Sequence, residues 1–485
     1  MELHLLPTDT TITLWWEKPE KASASYAVTL NGTPVCNVQS THATLENLAP
    51  DTDYTVEVEG IGTAVVRTRK AITRINVTQS PYFAKGDGVT LNTAALQQAI
   101  DDCGPDQCVY LPAGVYMTGA LRLHSHMALY IDEGAILQGT QTIADYEPRI
   151  PSRFEGIEGM CYSSVLNMGE LDHTAGPNCE DVLIYGRGTI AGGGRTLARA
   201  IIEDERIRLR AYLEELGEKV LECENLDTIP GRVRGRLINM SNCRNIRITG
   251  LTLADGPCWN VHMIYSGKIT TDHCTFRSQG VWNGDGWDPD SSEECTLFAC
   301  EFHTGDDAVA IKSGKNPEGN VINRSTQRIR IFDCVSHFGH GITIGSEMSG
   351  GVEDVRVWDC DLGKAMFGIE IKGTKKRGGY VRGVHLRDCT VARVLMHAVG
   401  YNDDGIGAPV PPKFSGCTFE NVRIIGKSLN HENIVSDVPA IELEGFDVPG
   451  YEAEDITFKD CTIARSAEVR MHLCRNIVLQ LKEID

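Results

Sequence analysis

No stretch of this chain approaches the 18 or more consecutive apolar residues that a bilayer-crossing helix needs, so no transmembrane segment is expected. The first residues, MELHLLPTDT, lack a basic segment followed by a long apolar one. No secretory signal is read there, and the cytoplasm is the expected compartment. Positive charge is also short: 46 Lys and Arg face 66 Asp and Glu, a net charge of −20. Nucleic acid and anionic membranes are therefore not expected as partners, and any polyanion would need a local basic patch. Seventeen cysteines are present, but there is no CxxC pair and no clustered Cys/His spacing, so neither a metal site nor a cofactor is expected. An odd number of cysteines without a signal favours reduced thiols over a disulfide framework.

The chain does have enough apolar material to fold. With 485 residues, 41% hydrophobic and 23% charged, it is too apolar for disorder, and a prior of roughly 150 residues per domain allows about three units unless repeats merge them.

Residues 1–70 alternate apolar and polar positions in short runs, as in Ile12, Leu14, Trp16; Tyr26, Val28, Leu30; and Tyr54, Val56, Val58. Turn signals such as Asn31-Gly32 and Pro50-Asp51 separate the runs, which is the spacing of a small antiparallel β-sandwich. The segment Leu48-Ala-Pro-Asp-Thr-Asp-Tyr54 resembles the corner of fibronectin type III domains, in which a Tyr hydroxyl ties a loop to the backbone.

From residue 240 onward one pattern recurs: two apolar positions alternate with polar ones, and Cys precedes a further apolar position. It is seen in Val355-Arg-Val-Trp-Asp-Cys360-Asp-Leu362, around Cys389 and around Cys461. Cys274, Cys300, Cys334, Cys360 and Cys389 follow at intervals of 26, 34, 26 and 29 residues. Short strands at such a period predict a solenoid, and a parallel β-helix over residues 71–485 fits, with Cys as a small apolar member of interior ladders. Two departures from strand periodicity stand out. Thr93–Ile100 has helical spacing and is read as a helix capping the solenoid, and residues 195–226 read as a charged amphipathic helical insertion, either an excursion bordering a groove or a lone solvated helix.

Four segments concentrate chemistry: Asn283-Gly-Asp285-Gly-Trp-Asp288, Gly305-Asp306-Asp307, Gly339-His340-Gly341 and Glu370-Ile-Lys372. Residues one coil apart lie about 5 Å apart in a β-helix, so Asp285, Asp306, Asp307 and His340 are expected to meet. Paired carboxylates flanking a bond are what glycoside hydrolysis needs, one as a proton donor and others to activate water.

The order NGDGWD, GDDAVAIKSG, GHGITIGSE and EIKGTKKRGG resembles glycoside hydrolase family 28, the polygalacturonases. A fibronectin-like domain preceding it resembles the exo-acting bacterial members. The resemblance implies a right-handed β-helix and an inverting hydrolysis of terminal α-1,4-linked galacturonic acid from pectic oligosaccharides. It also implies catalytic roles for Asp306 as acid, for Asp285 and Asp307 on water, and for His340 in support. Substrate-binding roles fall to Asn283, Lys312, Lys372, Arg377 and Tyr401. Two residues depart from the family pattern. Gly284 stands in place of the usual Thr. Glu370 stands in place of an Arg that holds a uronate carboxylate, and this leaves Lys372, with Lys375, Lys376 or Arg377, to offset the added negative charge. A rhamnogalacturonan hydrolase and a non-catalytic sugar-binding β-helix are the alternatives. A lyase would need calcium and a base for the C5 proton.

Overall fold

A computed structural model describes residues 2–484. The chain divides into two compact units, one running to Ile75 and taking in Cys103–Cys108, the other comprising the rest. The division falls a few residues beyond the expected boundary at 70.

In the first unit the alternating runs form strands Ile12–Trp15, Tyr26–Leu30 and Asp53–Val58. A three-stranded and a four-stranded sheet result, both antiparallel. Ile12, Leu14, Trp16, Val28, Val56 and Val58 fill the space between them. The Tyr54 hydroxyl accepts the Ala49 N–H at 2.9 Å, which is the corner tie expected from the sequence.

The second unit is a parallel β-helix. One interior column runs Ile329, Val355, Val384, Cys417, Ile456, each paired with the residue one coil on. The Asp-Cys element of the repeat has a conformational cause. Asp333, Asp359, Asp388 and Asp460 all lie at φ between 50 and 54°, the left-handed region in which a short polar side chain is tolerated. Each makes a corner, and the following Cys turns into the core. The thiols donate to carbonyls two residues back, as Cys334 does to Phe332 at 3.3 Å and Cys389 to Arg387 at 3.2 Å. Beside them the rings of Phe298, Phe332 and Trp358 stack with centroids 4.8 and 4.4 Å apart. Among the described residues no disulfide joins any of the seventeen cysteines.

An eleven-stranded parallel sheet positions the chemistry. Its inward column is Ile238, Val261, Trp287, Val309, Ile342, Ile369, Val394. The next residue in each strand faces the other way, because side chains alternate along a strand. That column carries Asn239, His262 and Asp288, then Ala310, Thr343 and Glu370. The helix Thr93–Asp101 buries Leu96, Ala99 and Ile100 against the first coils. The insertion forms helices Gly194–Arg208 and Arg210–Leu216 and a 3-10 turn Gly217–Glu222. It is anchored by buried Leu197, Ile201 and Ile202, and by Glu205, which Arg149 and Arg208 neutralise. Among the described residues no helix is long and apolar enough to cross a membrane.

Candidate active site

Two groups of acids meet over the sheet. The first is closed to solvent. Lys312 follows strand Val309–Ile311, and its ammonium lies 3.2 Å from Asp285 and 3.0 Å from Asp288. The same nitrogen sits 3.4 Å from the centre of the Trp259 indole. One cation thus serves two buried carboxylates, which is too little to hold both ionised. Burial raises Asp285 well above the usual carboxylate range, against the pull of Lys312, and raises Asp288 to about 7. The pair shares a proton near neutrality.

The second group opens to the pocket. His340 Nδ1 lies 2.9 Å from Asp306 and 3.2 Å from Asp307. Burial alone would lower the His340 pKa, but Asp306 and Asp307 override it and hold the imidazole protonated well above its ordinary value. Its Nε2 is 3.2 Å from His431 Nε2. Burial, and next the charge of His340, lower His431, so the charged ring donates and the neutral one accepts. Asp307 is pushed up by burial but more strongly down by Lys372, His340 and the Thr343 hydroxyl, which donates at 2.6 Å, and the net effect is a depressed pKa. The ligand atoms of Asp306, Asp307 and His340 lie within 4.8 Å of one another and would be the group to hold a cation, although the shared imidazolium proton already lies between them.

Asp285, Asp306, Asp307 and His340 share one pocket of about 290 Å³ with Asn283, Lys312, Lys372 and Tyr401. The structure thus brings together eight of the nine residues expected from the sequence. Gly284 is required where Thr is usual, because a Cβ there would sit 2.8 Å from the carbonyl oxygens of both Ser278 and Val281. Gly341, at φ +98° with a would-be Cβ 2.3 Å from the Gly368 oxygen, lets the chain pass tightly after His340.

Arg377 is the correction. It does not line the pocket and is fully buried, donating to the carbonyls of Ser346 at 2.8 Å and Asn402 at 2.7 Å and to the Asn316 amide oxygen at 2.5 Å. It holds the loops that shape the pocket wall and lies buried out of reach of a substrate carboxylate. Lys376 turns away as well, toward the Asp403 carbonyl. Glu370 is instead offset by Lys372 at 3.1 Å and His397 at 2.8 Å. Lys312 touches the pocket but is engaged beneath Asp285, so it positions the acid.

Sequence reasoning missed His397, Glu155, Glu224, Glu347, Asn402 and His431. His397 was within reach, because it pairs with Lys372 one coil on. Glu155, Glu224 and His431 belong to excursions from the coils. Glu155 is fixed by Arg232 at 2.7 Å, and Glu224 follows the helical insertion.

The model for "Glycosyl hydrolases family 28" matches residues 107–477, and that for the fibronectin type III domain matches residues 3–73. Among similar sequences, a probable polygalacturonase of Vitis vinifera is 33% identical over 63% of this chain and 58% of its own length. The exo-poly-alpha-D-galacturonosidase of Dickeya chrysanthemi is 27% identical over 83% of this chain and 71% of its own. The Yersinia enterocolitica family 28 exopolygalacturonase is similar in fold, with a TM-score of 0.83 and 20% identity over 100% of this chain and 96% of that one.

Proposed function

This chain belongs to the glycosyl hydrolases of family 28, and we propose that it releases terminal galacturonic acid from pectic oligogalacturonides with inversion at the anomeric carbon. The observation that carries the reading is the meeting of Asp285, Asp306, Asp307 and His340 around one small pocket. Single-displacement hydrolysis needs an acid that donates to the leaving oxygen and carboxylates that take a proton from water. Asp306 is the half-exposed carboxyl of the site and meets the glycosidic oxygen. Asp307, held ionised, takes the proton from the water, and Asp285, held over Lys312, orients it. His340 keeps a positive charge beside both and offsets the charge that builds as Asp306 gives up its proton.

Lys372 receives the uronate carboxylate, with Tyr401 behind it at 5.9 Å. Glu370, already bonded to Lys372 and His397, does not repel the sugar as a bare carboxylate would. The relatives named for exo-acting cleavage support removal of single end residues, as does a pocket small enough for a chain end. Chromatography of products from a defined oligogalacturonide tests this. Monogalacturonic acid as the sole early product is expected, and a spread of mid-length oligomers would contradict it. We also infer a reducing, cytoplasmic compartment, supported by seventeen cysteines that form no disulfide among the described residues. Recovery of the activity outside the cell membrane on fractionation would overturn that.

A further inference from the structure

A second cavity, of about 690 Å³, lies beside the catalytic pocket and within the size range of ligand sites, roughly 300 to 1,000 Å³. It opens off the same centre. Trp282 lines it while Asn283 lines the pocket, Gly305 lines it while Asp306 lines the pocket, and Asn225 stands next to Glu224 in the same way. His431, on its wall, is bonded to His340. A chain whose end residue sits in the pocket therefore passes into this cavity on crossing Asp306.

The charge here is unlike that of the rest of the molecule. The chain carries −20 overall, and the pocket is crowded with acids. The cavity presents Arg195 and Arg199, exposed and one turn apart on the helix Gly194–Arg208, a rise of about 6 Å and of the order of one sugar residue. Among the described residues, neither has a carboxylate within ion-pair distance, whereas Arg206 and Arg208 on the same helix are paired with Asp227 and Glu205. Glu203 is the one lining acid left over, so the wall is net positive. Trp282 and Phe338 add aromatic surface, the Trp282 ring already carrying the Arg234 guanidinium on one side at 4.4 Å.

We propose that this cavity binds the galacturonate residues on the leaving side of the cleaved bond, with Arg195 and Arg199 receiving their carboxylates. Arg is suited to this, because its planar fork meets a carboxylate with two parallel N–H donors. The proposal rests on the galacturonosidase reading and deepens it, since it makes the helical insertion the part that selects longer, unesterified chains.

The test separates the two ideas by measuring binding and turnover independently. Calorimetry of pentagalacturonate with the Asp306→Asn protein gives a Kd that needs no reaction. Adding Arg195→Ala and Arg199→Ala should weaken it about tenfold, which two partly exposed charge-assisted contacts supply. The Arg195→Lys/Arg199→Lys pair should recover part of the loss, and the fully methyl-esterified pentamer should bind with the same Kd to both proteins. Circular dichroism confirms that the helix persists, as Ala favours it. An unchanged Kd for the acidic pentamer in the Ala variant overturns the cavity assignment. Arginine-dependent binding with no hydrolysis by the unmodified enzyme would fail the activity reading and keep this one, and hydrolysis with arginine-independent binding would do the reverse.

Discussion

The two acid groups of the site are built from the same parts, two aspartates around one cation, yet Asp285 and Asp288 are raised while Asp307 is lowered. Around Lys312 the group is sealed, and burial dominates, so Asp285 and Asp288 are raised. Around His340 the group faces the pocket, where Lys372 and Thr343 add to the imidazolium and Asp307 is lowered. The difference shows that the number of partners and the access of water, rather than the residue types, set which aspartate holds a proton.

The largest effect should come from removing the donor at the open end. Asp306→Asn is expected to lower kcat by about 10² to 10⁴ with little change in melting temperature, because general acid assistance is typically worth that much. Retention of a tenth of the activity would remove Asp306 from that role. Next in size is the sealed end. Lys312→Met leaves two buried carboxyls without their cation, and breaking such a pair costs about 3–5 kcal/mol. Denaturant unfolding should show that loss at neutral pH and a partial recovery near pH 5, where both acids are protonated. A variant as stable as the parent at both pH values would mean that Lys312 does not hold the group together.

A smaller effect sharpens the contrast through pH. The native state holds a proton on Asp288 up to about 7, while the unfolded chain releases it near 3.8. That contribution to stability is complete below about pH 4 and is lost as pH rises to about 7. Asp288→Asn should flatten this decline in thermal melts taken across that window. The raised His340 acts later, since its contribution is full below about 6.5 and fades only as pH rises beyond that. His340→Gln should therefore leave the acidic limb alone and remove the alkaline one. If the two variants shift the same limb, the groups are not independent.

Much of this was legible in the sequence because a β-helix converts spacing into adjacency. The Asp-Cys corners, the Tyr54 tie and the meeting of Asp285, Asp306, Asp307 and His340 all follow from local pattern plus a coil period. Arg377 misled because it lies beyond the strand Gly368–Gly373, in a turn where its N–H bonds the Thr374 carbonyl and alternation no longer tells in from out. His431 and Glu224 carry no signal at all. They reach the site from segments whose direction depends on packing against coils far away in sequence.

The central claim, single displacement by these carboxylates on a terminal galacturonate, is met most directly by proton NMR of the first product formed from an α-linked oligogalacturonide. Monogalacturonic acid appearing as the β anomer, before mutarotation, is the expected result. Initial appearance of the α anomer would mean a covalent intermediate on one of the aspartates and would contradict the account.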